Sequence, residues 1–395
     1  MYRSVNRHRN RRHALVATVV GSALVASACS AEASSNEADG RAHIVGLIEV
    51  KGDSPNALDD YNVGAQIAVD EINAAGGILG EPLEYTRIPA SVTDPQNART
   101  AFLKAVDLNP SAIIGFPGGG SLEALTRDVD AAEIPMIHIS SDGKLARGAE
   151  AGSEWLFSVN PDDTARARGA VELSKQLGAD TIGIIATDET FGRTSTENTL
   201  AVAETSGIVV EGVRYVPPTA TDLTGPILEF QNVDTVVSWT FPNVLALQMN
   251  QMLQNQIDVP VITGNSGPLV SANDLAPREA LKNLYAVTPC APKLGESVAG
   301  HNFAATYEEK QGTEPTASAT QVYDAVHFLA QAMEEAGTTT DHEKIVEAMR
   351  TIEWQDGACA SRYYSDEAQY LGHQMIAESF AGEGSIVAEY AVPDA

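Results

Sequence analysis

The stretch that decides the fold class reads HIVGLI at residues 43–48 and YNVGAQIAVDEIN at residues 61–73. The first run is mostly apolar and predicts a buried strand, and the second places apolar and small residues at helical spacing. Gly76 and Gly77 follow and end the predicted helix. A buried strand followed by an amphipathic helix is the unit of a parallel sheet that is covered by helices on both faces.

The same alternation of strands and helices continues along the chain. Further strands are predicted at residues 83–88, 111–115, 134–139, 181–186, 209–216, 234–238 and 259–263. Further helices are predicted at residues 94–106, 122–132, 162–177, 191–206, 222–231, 243–255, 297–311, 316–336 and 341–350, before a β-rich tail punctuated by glycine. The pattern predicts an α/β protein made of two successive units, which form two lobes joined by short crossings.

Length and composition agree with a folded protein of two ordinary domains. The chain has 395 residues, of which 44% are hydrophobic and 20% are charged, so an intrinsically disordered chain is excluded. The formal net charge of −28 argues against nucleic acid as a partner, because a polyanion would be repelled. Three cysteines are too few for a miniprotein held together by disulfides.

The N-terminal residues have the pattern of an export signal. Residues 1–12 carry five arginines and no acid, and residues 14–28 form an uncharged run that is too short to cross a bilayer. The small residues just before Cys29 resemble a bacterial lipobox, in which Cys29 is lipidated and becomes the first mature residue. We therefore expect a lipoprotein on the outer face of the cell membrane, with a flexible tether at residues 29–42. The alternative is an ordinary signal peptide in which Cys29 is incidental.

Export places the two remaining cysteines, Cys290 and Cys359, in an oxidising compartment. An even pair favours a disulfide between them, and two unpaired buried thiols are the alternative. Neither cysteine has a second Cys or His at the spacing of a metal site. We therefore expect no metal and no cofactor.

The segment DEINAAGGILG at residues 70–80 resembles the branched-chain-amino-acid class of periplasmic binding proteins. Motifs that fit the same family follow at the expected intervals: GFPGGG at 115–120, IPMI at 134–137, TDETFG at 187–192 and DAV at 324–326. The resemblance implies the type I fold, with two Rossmann-like lobes joined by three hinge crossings at about Val159, Pro289 and Tyr363. On this basis the expected domains are a signal peptide at 1–28, the tether at 29–42, lobe 1 at 43–158 plus 290–362, and lobe 2 at 159–289 plus 363–395.

The resemblance places one side of a ligand cleft at the glycine-rich turn after the third strand. Gly118 and Gly119 would direct backbone N–H groups at a ligand carboxylate, because such a turn opens a helix. Gly119 stands where the family has a hydroxyl, and Ser121 is the candidate replacement. A tight turn without a ligand role is the alternative.

The next position that the resemblance assigns to the cleft follows the fourth strand and reads Ser140-Ser141-Asp142. The family commonly has a small residue here, whose carbonyl accepts the ligand ammonium, and then Ala-Thr. Asp142 would place a carboxylate in the site, or it would cap a helix that begins near Gly143. Both interpretations stay open.

The second lobe would contribute aromatic side chains and an amide. Phe191 stands where the family commonly has tyrosine, Trp239 and Phe241 follow the strand at 234–238, and Asn265 stands where an acid usually pairs with the ligand ammonium. Each aromatic residue is either a core residue or part of an apolar cleft wall. These departures favour a carboxylate, amide or amino-acid-like ligand with an apolar or aromatic body over a plain branched-chain amino acid.

The function that the resemblance implies is capture of a small molecule and its delivery to the permease and ATPase subunits of an ABC importer, by a protein that we expect to be a monomer. A tethered sensor without transport shares every feature of this sequence. An α/β enzyme is disfavoured, because GNSGP at residues 264–268 lacks the last glycine of a nucleophile elbow. The sequence also contains no phosphate-binding Gly-Lys-Ser/Thr loop.

Overall fold

The computed structural model describes most of the chain after residue 39, and the described residues belong to one unit, residues 39–395. Cys29, Gly118, Ser141 and Asp142, together with the expected signal peptide, lie outside the described residues. The described ranges are 40–49, 60–91, 94–115, 119–140, 145, 152–294, 297–354, 357–359, 363–364, 371, 374–382 and 384–391.

The first half of the chain forms a parallel sheet with the strand order β2-β1-β3-β4-β5. Its strands are β1 (His43–Glu49), β2 (Glu84–Ala90), β3 (Ala112–Gly115), β4 (Met136–His138) and β5 (Leu156–Ser158). Its helices are α1 (Asp60–Ala74), α2 (Pro95–Val106), α3 (Gly119–Glu123) and α4 (Thr126–Ala132). Successive residues of β1 enter different apolar clusters, Ile44 with α1 and Val45 with α2, so helices cover both faces as the apolar strands predict.

The second sheet has the strand order β14-β13-β10-β9-β8-β6-β7. Its parallel part contains β6 (Thr181–Thr187), β7 (Val209–Val216), β8 (Thr235–Trp239), β9 (Val261–Thr263) and β10 (Leu284–Thr288). Two antiparallel strands, β13 (Gln374–Ser379) and β14 (Ser385–Ala391), extend it beyond β10. Its helices are α5 (Asp163–Gln176), α6 (Thr190–Ser206), α7 (Thr224–Glu229), α8 (Pro242–Gln254), α9 (Ser266–Ala272) and α10 (Arg278–Leu281).

After β10 the chain returns to the first sheet. Helices α11 (Val298–Gln311) and α12 (Ala317–Ala336) pack with α1, and α13 (His342–Met349) packs with α12. The side chains of Phe303, Phe328 and Met333 share one apolar cluster with Ile44. A two-stranded antiparallel sheet, β11 (Glu353–Trp354) with β12 (Tyr363–Tyr364), follows α13. The described part of the molecule therefore consists of two α/β layers, each made of one of the two larger sheets and its helices. Each layer is built from segments that are not contiguous in the sequence.

Three passages of chain connect the two sheets. The first runs from the end of β5 to the start of α5, and the second leaves β10 at Thr288 and reaches Cys290. Leu371 still packs with the first sheet, and its N–H donates to the Ser158 carbonyl at 2.7 Å. The next described residue, Gln374, already begins β13 of the second sheet.

The helical segments at residues 119–132 and 266–272 differ from the sequence-based prediction. The single helix predicted at residues 122–132 is divided into α3 and α4, where the Thr126 hydroxyl donates to the Glu123 carbonyl at 3.2 Å and competes with the backbone pattern. The sequence pattern predicts no helix between residues 255 and 297, but α9 begins at Ser266. Pro268 is compatible with that helix because it lies in the first turn, where an N–H has no helical partner.

Candidate functional site

The carboxyl ends of the parallel strands of the second sheet bring three predicted site residues to one edge. Phe191 lies in the first turn of α6 after β6, Phe241 lies between β8 and α8, and Asn265 precedes α9 after β9. The rings of Phe191 and Phe241 are stacked, with centroids 6.3 Å apart and an interplanar angle of 20°. Phe241 is 37% exposed, so this pair presents an aromatic surface at the strand ends, where ligands of open α/β sheets bind.

Local hydrogen bonds hold the loop that carries Phe191. The carboxylate of Glu189 caps α6 by accepting the backbone N–H groups of Phe191 and Gly192, both at 2.8 Å, and it accepts the Thr187 hydroxyl at 2.9 Å. Gly192 is required at this place, because a Cβ there would lie 2.0 Å from the Thr187 carbonyl oxygen. The direction of the Phe191 side chain is therefore set by a capped, closely packed helix start.

Trp239 does not join the aromatic pair. Its side chain is 1% exposed and packs in the core between the second sheet and its helices. The indole Nε1 donates to the hydroxyl of Thr199 at 2.9 Å, so its polar atom is satisfied within the protein. Of the two roles that the sequence left open for Trp239, the structure supports the core role.

The first-sheet residues of the expected cleft are largely buried. Gly119 begins α3, and the side chain of Ser121 is 1% exposed. Ser140 is 5% exposed and follows β4; its N–H donates to Nδ1 of His138 at 3.1 Å. These residues lie at the carboxyl ends of β3 and β4, on the edge of the first sheet that corresponds to the Phe191 edge of the second.

His138 supports the loop that contains Ser140. Its Nε2 faces the carbonyl of Leu145 at 2.9 Å and must be the donor, which leaves Nδ1 as the acceptor for the Ser140 N–H. Complete burial lowers the pKa of His138 to about 4, so the imidazole is neutral at physiological pH. Its role is to hold the loop that contains Ser140.

Two buried amide side chains that the sequence does not mark as special meet at the first passage between the sheets: Asn160 of the passage and Gln321 of α12. Asn160 donates from Nδ2 to the Ile139 carbonyl at 2.5 Å and accepts at Oδ1 from Gln321 Nε2 at 2.5 Å. Asn160 is 3% exposed and Gln321 is 1% exposed. The passage is thereby tied both to α12 and to the loop after β4. Asn and Gln are common at exposed positions of loops and helices, so the sequence did not indicate that these two amides are buried and paired.

A disulfide connects Cys290, at the second passage, to Cys359. The same region is held by Asp324 of α12, whose two carboxylate oxygens accept the backbone N–H groups of Ala358 and Cys359 at 2.7 and 2.9 Å. Asp324 is fully buried. Asp324, the first residue of the DAV motif at residues 324–326, therefore holds the segment that carries Cys359.

A buried ion pair lies beside the loop after β9. Arg166 of α5 donates to Asp163 at 2.8 Å, and both residues are 5% exposed. A Cβ on Gly264 would lie 3.0 Å from the Cδ of Arg166, so the arginine stem packs against the backbone next to Asn265. The sequence suggested no role for Arg166, because one arginine in a helix is usually an exposed residue.

A cavity of about 360 Å³, lined in part by Asn265, lies between the two α/β layers. The second sheet contributes α9 and the end of β13 to its wall, and the first layer contributes residues 290–294 and 314–318. Glu378 of β13 lines it and is only 7% exposed. Burial, together with the nearby carboxylate of Glu314, raises the pKa of Glu378 to about 8.

The described part of the chain contains neither a metal-binding cluster nor a membrane-spanning helix. No cluster of three or more His, Cys, Asp or Glu side chains there could hold a metal ion. Among the same residues, no helix has the length and apolar character needed to cross a membrane.

The sequence profile described as periplasmic binding protein matches residues 43–383 of the chain. The chain belongs to the periplasmic binding protein family. The match and the relatives below confirm the branched-chain-amino-acid class with the type I fold that the motif at residues 70–80 indicates. This periplasmic binding protein is therefore expected in an extracytoplasmic compartment, and its family consists of solute-binding proteins rather than enzymes.

Three relatives illustrate the range of the class. The Leu/Ile/Val-binding protein homolog 8 of Brucella melitensis is 26% identical, over 76% of this chain and 77% of the relative. The leucine binding protein LivK of Thermotoga maritima has a TM-score of 0.73 at 21% identity, covering 89% of this chain and 99% of that one. A fatty acid ABC transporter substrate-binding protein from Thermomonospora curvata has a TM-score of 0.73 at 18% identity, covering 90% and 95%.

Proposed function

We propose that the protein is a solute-binding lipoprotein, anchored by Cys29, that captures a small carboxylate, amide or amino-acid-like molecule between its lobes. It then delivers this ligand to the permease and ATPase subunits of an ABC importer. The observation that carries the ligand class is the stacked pair of Phe191 and Phe241, whose partly exposed rings favour an apolar or aromatic body.

The named relatives support the same class of ligand. One is named for leucine, isoleucine and valine, another for leucine and a third for fatty acids. All of these ligands combine an apolar body with a carboxylate. In this chain we propose that Phe191, Phe241 and Asn265 contact the ligand from the second sheet, and Gly119, Ser121 and Ser140 from the first. Gly118, Ser141 and Asp142 would complete the site.

A thermal-shift screen tests the proposal. The full-length protein, purified in a mild detergent, is heated with leucine, valine, amides, short fatty acids and aromatic carboxylates, because a bound ligand raises the melting temperature by mass action. We expect the largest shift with an aromatic or apolar carboxylate. A larger shift with leucine would assign the usual ligand of the class. No shift with any carboxylate or amide would refute the proposed ligand class.

Anchoring and assembly are tested separately. Mass spectrometry of the purified protein should detect a lipid-modified N-terminal residue at Cys29, and a Cys29→Ser variant should leave the membrane fraction. Size-exclusion chromatography should give a monomer. An unmodified Cys29 would refute the lipoprotein part of the proposal and leave the ligand part standing.

A further inference from the structure

The cavity between the two α/β layers has a wall from each of them. The second layer contributes α9 and Glu378 of β13, and the first layer contributes residues 290–294 and 314–318. The layers are connected only by passages of chain, so a movement of one layer away from the other opens this cavity to water. Such a movement changes Glu378 from a buried side chain to a hydrated one.

The carboxyl of Glu378 is poorly solvated while the layers are together. The residue is 7% exposed, and among the described residues nothing donates a hydrogen bond to its buried Oε1 atom. Buried polar atoms in folded proteins nearly always have partners, and an ionised carboxylate needs them more than a neutral carboxyl does. The closed arrangement of the layers therefore suits the protonated form of Glu378.

The first layer places negative charge against this carboxyl. Glu314 lines the same cavity and acts on Glu378 across the boundary between the layers. Lys293 is the only basic residue of the described cavity wall, and it already pairs with Glu314 at 2.6 Å and with Glu308 at 2.5 Å. Tyr61 is the remaining titratable side chain of that wall. An ionised Glu378 would add a third carboxylate to one lysine, and its repulsion by Glu314 acts in the direction that separates the layers.

The described elements that pack against β13 bring no compensating positive charge to Glu378. Helix α9 contains no charged residue. Tyr285 of β10 and Tyr390 of β14 belong to the apolar cluster on the other face of the sheet, and α5 lies on that face too, because it shares this cluster with Ala377, the neighbour of Glu378. The one charged residue of β14, Glu389, is acidic and exposed.

We propose that Glu378 makes the separation of the two layers dependent on pH: its neutral form lets the layers stay together, and its carboxylate favours the open form. In the closed form, burial and the charge of Glu314 raise the pKa of Glu378 to about 8, so the carboxyl keeps its proton at neutral pH. Opening hydrates the group, the proton passes to the buffer, and no other bond is made or broken. The inference goes beyond ligand capture, because it concerns the protein without a ligand.

The direction and size of the effect follow from proton linkage. Opening releases a proton between pH 4.5, the ordinary pKa of the side chain, and about pH 8. Below this window both forms hold the proton, and above it both have lost it, so the ratio of open to closed protein is then constant. Within the window the ratio rises by up to about tenfold for each pH unit. Between pH 5 and pH 7 we expect an increase of up to about a hundredfold.

The separation of the layers can be measured directly. Nitroxide labels are attached to cysteines introduced at Gln254 of α8 and Asn302 of α11, which are exposed, uncharged and in different layers. Double electron–electron resonance on the full-length protein in mild detergent, without added ligand, gives the distribution of distances between the labels at pH 5, 7 and 9. We expect a second, longer distance whose fraction grows with pH and falls again when the sample is returned to pH 5.

Three variants of the labelled protein test the role of Glu378. Glu378→Gln has nearly the same shape but cannot ionise, so it should keep the short distance at all three pH values. Glu314→Gln removes the opposing charge and should reduce the open fraction at pH 7 and pH 9. Glu389→Gln removes an exposed acid from the neighbouring strand and is the matched control, which should behave as the wild type does.

Two results would overturn the inference. One is a distance distribution that is the same at pH 5 and pH 9 when Glu378 is present. The other is an equal change with pH in Glu378→Gln, because it would assign the pH dependence to other groups. Neither result bears on the proposed ligand class, which the thermal-shift screen tests separately.

Discussion

Replacing Glu378 with glutamine should stabilise the protein at high pH and change its stability little at low pH. Burial and the carboxylate of Glu314 raise the pKa of Glu378 from its ordinary 4.5 to about 8. Between these two values the folded state keeps a proton that the unfolded state releases. The free energy of unfolding of the wild type therefore falls as pH rises through this window, and this loss is complete above pH 8.

The size of the effect follows from the same two pKa values. Each pH unit between 4.5 and about 8 corresponds to about 1.36 kcal/mol, which gives about 5 kcal/mol for a carboxyl that stays fully buried. Relaxation around a buried charge and entry of water reduce such costs. We therefore expect Glu378→Gln to gain about 2 to 5 kcal/mol relative to wild type between pH 5 and pH 9.

Urea unfolding at pH 5, 7 and 9, followed by tryptophan fluorescence, measures this gain. The difference between Glu378→Gln and wild type is the quantity to compare, because other titrating groups cancel in it. Glu389→Gln is the control, since Glu389 is exposed on the strand next to β13 and its removal should not alter the pH dependence. A difference between Glu378→Gln and wild type that stays constant from pH 5 to pH 9 would refute the reasoning.

Three further predictions concern the disulfide, the Asp324 anchor and the aromatic pair. Cys290 and Cys359 are 69 residues apart, so their disulfide closes a long loop in the unfolded chain. On the chain-entropy account, replacing both with alanine should lower the free energy of unfolding by about 4 kcal/mol. A loss below about 1 kcal/mol in urea unfolding would contradict this. Asp324→Asn replaces one of two acceptor oxygens with a donor that faces a backbone N–H. It should lower the free energy of unfolding by about 2 to 3 kcal/mol in the same assay. An unchanged urea midpoint would show that the two hydrogen bonds contribute nothing to stability. Phe241→Ala should weaken phenylacetate binding by about tenfold in calorimetry, because half of the stacked pair is lost, and Phe191→Ala should act in the same direction; unchanged affinity in both variants would exclude the pair from the site.

The positions of most strands can be predicted from the sequence because they are short apolar runs bounded by turns. The pattern predicts β1 at residues 43–48 and the structure has it at His43–Glu49; β7 coincides with the predicted 209–216. Helix α9 is missed because its first turn contains glycine and proline, which resemble a loop when packing is unknown. The helix packs closely against β10, since a Cβ on Gly267 would lie 2.9 Å from the Cβ of Ala286. This packing depends on the tertiary fold and cannot be predicted from the local sequence.

The candidate site is predicted less completely, because a motif locates a loop but not the direction of a side chain. Every residue of β8 is buried, so the sequence alone cannot show which side of the sheet the Trp239 side chain faces. In the structure this side chain packs in the core. Glu378 gives no signal because one acid in a strand near the chain end resembles an exposed position. Its burial depends on β14 and on residues 314–318, which lie far from it in sequence.

The interleaved order of the chain has a consequence for how the protein is made. The core of the first sheet includes residues of α11 to α13, which are synthesised only after the whole parallel part of the second sheet. The second sheet in turn needs β13 and β14 near the C-terminus. Neither half can therefore complete its core while the chain is still emerging. Because both rely on contacts between distant segments, final folding waits until almost the entire polypeptide is available, and an unfinished chain remains open enough to be threaded through an export channel.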